Sequence, residues 1–121
     1  MNKKNIGVAV LDTGIYRHID FDNRIIAFKD FINNKNIPYD DSGHGTHVSG
    51  IIAGSGKASN GRFKGIAPMS QIISVKVLDS YGNGKIGSVI DGANWIINNK
   101  DIQYKGCKYI LWNNYKQQCR Y

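Results

Sequence analysis

The sequence predicts an α/β fold: a doubly wound parallel sheet with helices on both faces. Three observations carry that prediction. Ile6 to Leu11 is an unbroken apolar run that stops at Asp12-Thr13-Gly14, as a strand buried on both faces does when it meets a tight turn. Ile72 to Leu78 is a second such run, rich in Ile and Val. Segments of helical spacing alternate with these strands, which is the rhythm of a doubly wound sheet.

In order along the chain, the first strand is Ile6 to Leu11 and the second is Arg24 to Phe31. Residues 33–43 are polar and turn-rich, hence a loop. His44 to Ala53 carries Val48, Ile51 and Ile52 at helical spacing and reads as a helix starting at Asp41-Ser42-Gly43. Residues 54–60, rich in Gly, Ser and Lys, are a loop. Ile72 to Leu78 is the third strand, and residues 79–85 turn around Tyr81-Gly82-Asn83-Gly84. Ile86 to Asn99 is an amphipathic helix whose stripe is Val89, Ile90, Ala93, Ile96 and Ile97. A fourth strand is expected next, but Lys105, Lys108, Asn113, Asn114 and Lys116 are scattered among the aromatics there. Burying an unpaired ammonium costs several kcal/mol, so this segment cannot fill the interior. Tyr109 to Trp112 could pair with an exposed edge.

A length of 121 residues suits one small domain, and 41% hydrophobic residues with 14 glycines read as globular. The net charge is +7, of which residues 102–121 contribute +4. No helix carries a basic stripe interleaved with aromatics, so no nucleic-acid partner is expected. No apolar run approaches the roughly 20 residues that span a bilayer, and none resembles a signal peptide core. The chain as written therefore reads as cytoplasmic, or as a piece of something longer, with no membrane partner. Cys107 and Cys119 match no metal spacing and read as free thiols. No oligomeric state is legible.

The chemistry centres on Asp12 and His44. Asp12 ends a buried strand, at the sheet edge where open α/β folds bind ligands. His44 opens a helix, whose dipole there favours the neutral imidazole that a general base requires. An aspartate behind a histidine fixes its tautomer. Taken singly, Asp12 could cap a turn, and His44 and His47 could be surface histidines or metal ligands. Leu11-Asp12-Thr13-Gly14 also fits an aspartic protease, but that site needs a second Asp-Thr/Ser-Gly, which is absent. Gly54-Ser55-Gly56-Lys57 hints at a phosphate loop, yet Ala58 stands where a hydroxyl is needed.

Two longer strings decide among these. Val8-Ala9-Val10-Leu11-Asp12-Thr13-Gly14-Ile15 resembles the aspartate motif of the subtilisin-like serine proteases, the subtilases. Gly43-His44-Gly45-Thr46-His47-Val48-Ser49-Gly50 resembles their histidine motif. Gly65-Ile66-Ala67-Pro68, Val75-Lys76-Val77-Leu78 and Gly82-Asn83-Gly84 look like later family segments. The resemblance covers about residues 5–101. It implies a three-layer α/β/α fold, truncated to its N-terminal half, and serine endopeptidase activity on peptide or protein substrates. It also implies Asp12 as the orienting acid, His44 rather than His47 as the general base, and Gly82, Gly84 and Ile86 as substrate-binding residues. His47 and His18 are then structural. No cofactor is expected. Calcium, which several subtilases bind, would fall to Asp20, Asp40, Asp41 and Ser42, although their spacing is not that of an EF-hand.

The family's nucleophile string, Gly-Thr-Ser-x-Ala-x-Pro, does not occur in these residues, nor does the asparagine of the oxyanion hole. Without them the chain is expected to be inactive alone. The alternative is a non-catalytic peptide-binding remnant of the same scaffold. Residues 1–101 read as the N-terminal half of a peptidase domain and residues 102–121 as an aberrant tail. With suitable synonymous codons, residues 106–112 read one base later give Val-Val-Asn-Ile-Ser-Tyr-Gly, which resembles the family's next strand. A two-base deletion near Ile102 is the expected origin of the tail, the alternative being a genuine divergent end.

Overall fold

The computed structural model describes residues 7–103 and 109–113, with side chains described from 7 to 99. Four strands form one parallel sheet: β1 (Gly7–Asp12), β2 (Ile25–Asp30), β3 (Gln71–Lys76) and β4 (Tyr109–Asn113), in the order β2-β3-β1-β4. Two helices complete it, α1 (His44–Ala53) and α2 (Ile86–Gln103). β1 and β3 are neighbours, with Asp12 opposite Lys76. Tyr109 pairs with Gly7, and Asn113 with Leu11, so residues 109–113 use the edge of β1 that β3 leaves open. Residues 104–108 and 114–121, Cys107 and Cys119 among them, lie outside the described residues.

Successive side chains of a strand point to opposite faces, and β1 uses both. Ala9 and Leu11 join Ile73 and Val75 of β3 in a cluster with Ile96, Val89 and Trp95 of α2. Val8 and Val10 meet Val48 and Ile52 of α1. Ile72 packs with Ile15, Phe21 and Ala53 on that second face. The unbroken apolar run therefore exists because α1 covers one face and α2 the other. Each buried Val, Leu or Ile is worth about 1.5–3 kcal/mol. From β1 the chain moves to one side, through β2, α1 and β3, and α2 then carries it across to β4. That reversal puts a switch point at the carboxyl end of β1, where open α/β sheets hold ligands.

The elements differ from the expectation in two informative places. β3 stops at Lys76 because the next two amides, Val77 and Leu78, turn to the carbonyl of Asp12 at 3.0 and 3.2 Å. In α2 the stripe facing the sheet is Gly92 and Ile96, both buried, with Val89 half-buried, while Ile90 and Ile97 stay 54% and 59% exposed. One residue is about 100° of helix, so Ile90 and Ile97 rotate off the seam that Val89 and Ile96 occupy. Among the described residues no helix is long and apolar enough to cross a membrane.

Candidate active site

Asp12 is the last residue of β1 and its side chain is 1% exposed. Its Oδ1 accepts a hydrogen bond from the amide of Thr13 at 2.7 Å. The chain must turn sharply next, and Gly14 does so at φ 122. A Cβ at Gly14 would fall 2.1 Å from the carbonyl of Tyr39, so only glycine fits.

His44 is the first residue of α1. Its Nδ1 lies 2.9 Å from Oδ1 and 3.1 Å from Oδ2 of Asp12. The ring is 40% exposed, so the pair has a buried acid and an accessible base. Among the described residues no hydroxyl bonds the other ring nitrogen. The structure thus brings Asp12 and His44 together across 32 residues. His47 is exposed and does not meet Asp12, and His18 caps a short 3-10 turn by accepting from the amide of Asp20 at 3.1 Å.

What holds α1 in place is polar. A helix leaves its first amides without partners, and Gly43, at φ 96, brings no side-chain cap. Asp40 fills the role from outside: its carboxylate accepts from the amides of Gly43 (2.9 Å) and Thr46 (2.8 Å). It also accepts from the hydroxyls of Thr46 (2.6 Å) and Thr13 (2.8 Å). Thr13 in turn receives the amide of Gly45 at 2.8 Å. Burial opposes ionisation of Asp40, but the Thr46, Gly43 and Thr13 donors outweigh it and hold its carboxyl below the ordinary range. At Gly45 a Cβ would sit 2.2 Å from the carbonyl of Gly14. The helix therefore rests directly on the turn that follows Asp12.

A second buried carboxylate braces the loop from below. Asp30, ending β2, accepts from the amides of Ile32, Asn33 and Lys35 and from the hydroxyl of Tyr39 at 2.5 Å. Burial, joined by the bond to Asp30, raises the Tyr39 hydroxyl to about 12. Burial works against the charge on Asp30, yet the Tyr39 hydroxyl and the three amides prevail and lower its pKa.

Of the residues expected to bind substrate, Gly84 lines an open cleft of about 450 Å³ with Phe31, Asn83, Lys85 and Ser88. Gly82 and Ile86 lie in or just after the same turn but outside that lining. The oxygens expected for calcium do not fit it. Both Asp40 oxygens face N–H and O–H donors, Asp41 Oδ1 faces an ammonium, and Asp20 Oδ1 accepts from the amide of Ala58 at 2.7 Å. A calcium cage needs six to eight oxygens free to face the ion. Among the described residues no three acidic, His or Cys side chains converge.

Thr13, Asp30 and Lys76 also belong to the site's framework, and sequence reasoning gave none of them that role. For Asp30, Asp followed by Asn and polar residues was a readable turn signal. Lys76 offered one too, since a lysine inside an apolar strand must find acceptors.

Comparison with known proteins gives a consistent picture. The profile described as "Subtilase family" matches residues 3–103. Serine protease AprX of Bacillus subtilis (strain 168) is 50% identical over 94 residues, covering 78% of this chain and 21% of that protein. A thermostable alkaline protease of Halalkalibacterium halodurans is 45% identical over 92 residues, covering 76% of this chain and 24% of its own length. Among solved structures, Sphericase superposes with a TM-score of 0.74 at 29% identity, over 90% of this chain and 36% of that one. A cold-adapted subtilisin-like serine proteinase gives 0.70 at 28%, over 91% and 47%. The chain thus spans between a fifth and a quarter of these two curated relatives.

Proposed function

This chain belongs to the subtilase family, and from that premise we propose that it carries the acid–base half of a serine endopeptidase acting on peptide or protein substrates. The observation that carries the proposal is the bond of His44 Nδ1 to the buried Asp12 carboxylate, at 2.9 Å. With the proton kept on Nδ1, the lone pair on Nε2 is free to take a proton from a serine hydroxyl as that oxygen attacks the scissile carbonyl. Asp12 then stabilises the imidazolium so formed, and the imidazolium returns the proton to the leaving amine. The cleft beside Gly84 is the surface proposed to receive the substrate chain, with Gly82 and Ile86 at its margin.

No Gly-Thr-Ser-x-Ala-x-Pro string occurs among these 121 residues, and alone they are proposed to lack a nucleophile. The test has two arms. The purified chain is exposed to a fluorophosphonate, and no labelling is expected. Stoichiometric labelling that disappears in His44→Ala would overturn the inactivity. In the second arm, residues 7–101 replace the matching span of an intact subtilase. The chimera is expected to hydrolyse peptides and to lose roughly 10⁶-fold in kcat on His44→Ala. An active chimera indifferent to His44 sinks the assignment. The peptide-binding alternative gains if the pure chain, unlabelled, binds extended peptides at the cleft.

A further inference from the structure

The mechanism does not use Lys76, yet few side chains in the molecule are as deeply placed. It is 0% exposed, at the end of β3 and in register with Asp12. A lysine ammonium has three protons to donate and nothing to accept with. All three are used here: Nζ lies 2.6 Å from the carbonyl of Thr13, 2.8 Å from that of Leu78 and 2.7 Å from Oδ1 of Asp41. The ring of Tyr39 lies against it, 5.3 Å from Nζ to centroid. The three acceptors belong to three separate segments. Thr13 follows Asp12, Asp41 lies in the loop that leads into His44, and Leu78 lies just past β3.

We propose that Lys76 is a positioning residue for the Asp12–His44 pair, its ammonium locking the turn after Asp12 to the loop that starts the His44 helix. The inference rests on the acid–base reading of that pair. Asp40 and Asp41 divide the work. Asp40 takes the hydroxyl of Thr13 directly, and Asp41 reaches the Thr13 carbonyl through Lys76. Because Val77 and Leu78 also donate to the carbonyl of Asp12, the end of β3 holds the peptide groups on both sides of Thr13. Without the ammonium, two buried carbonyls lose their donor and Asp41 loses its anchor. The loop is then free to move relative to β1, and the Nδ1–carboxylate contact loosens.

The experiment uses the whole 121-residue chain and follows the His44 Nδ1 proton by NMR, as a low-field resonance with a measurable exchange rate. Two variants are compared with it: Lys76→Met, which keeps the length of the side chain, and Asp41→Ala, which cuts the same link at its more exposed end. Exchange of that proton is expected to accelerate about tenfold or more in Lys76→Met and by a smaller factor in Asp41→Ala, with the Ile72 and Val75 amides protected as before. A purely structural lysine would instead lower all protection together. Should Lys76→Met not fold, Asp41→Ala decides. A resonance present in the unsubstituted chain but unmoved in every folded variant overturns the positioning role alone. Absence of the resonance from the unsubstituted chain overturns the acid–base reading, and the positioning role with it.

Discussion

The two helices of this molecule are held by different physics. α2 lies on the sheet through apolar packing: Ile96 and Val89 join Leu11, Val75 and Val77. α1 packs Val48 and Ile52 on the opposite face, but its N-terminus is set by Asp40 and Thr13, with the turn of Gly14 pressed against Gly45. Apolar packing is non-directional and tolerates small shifts. A hydrogen-bonded helix start within contact distance of backbone does not. The helix that carries His44 is the one fixed by directional bonds, which is what a proton relay demands. The proposed site sits where displacement is costly, and α2 supplies stability with slack.

The sharpest test of this contrast makes the same change in each helix. Gly45→Ala would place its methyl 2.2 Å from the backbone carbonyl of Gly14, whereas Gly92→Ala meets side-chain methyls of Val77, Val75 and Leu11 at 2.9, 3.0 and 3.4 Å. Urea unfolding should show a loss of about 3 kcal/mol or more for Gly45→Ala and about 1 kcal/mol for Gly92→Ala. Equal losses would break the comparison.

Asp40→Ala comes next in size. It removes the donors' shared acceptor at the α1 start and should cost about 2 kcal/mol. The pH dependence carries a sign. Asp40 is held below its ordinary value of 3.8, so its contribution is present above that pH and fades as pH falls through the folded value. Acid unfolding curves of Asp40→Asn should therefore be flatter below about pH 4 than those of the unsubstituted chain. Gly92→Ala, in α2, should leave the acid limb's shape alone. At the alkaline end the sign reverses. Tyr39 is raised from 10.0 to about 12, so its contribution is complete below pH 10.0 and is lost as pH rises toward 12. Tyr39→Phe should abolish that alkaline slope in a stability-versus-pH series.

The smallest effect runs the other way. Ser49 on α1 is 1% exposed and its hydroxyl has no hydrogen-bond partner among the described residues. Ser49→Ala should stabilise by about 1 kcal/mol, because an unsatisfied buried group is removed. A loss in thermal melting temperature would mean that the hydroxyl has a partner. The polar groups at the start of α1 hold the helix in place, whereas the Ser49 hydroxyl on its body does not.

Much of this was legible in the sequence because its causes are local. The run before Asp12 could only be a strand buried on both faces, and residues 44–53 showed their helix through spacing and a turn-rich lead. The motif strings around Asp12 and His44 singled out the pair that the fold brings to 2.9 Å. The stripe of α2 was misplaced by two isoleucines because Ile90 and Ile97 fit the same spacing, and hydrophobicity alone does not say which seam faces the sheet. What only the tertiary structure decided is which polar groups work together. Lys76 finds Thr13 and Asp41 at separations of 63 and 35 residues, and Asp40 finds Thr13 across 27. A buried charge announces that it needs partners, but loop closure chooses them, and no pattern of spacing along the chain encodes that choice.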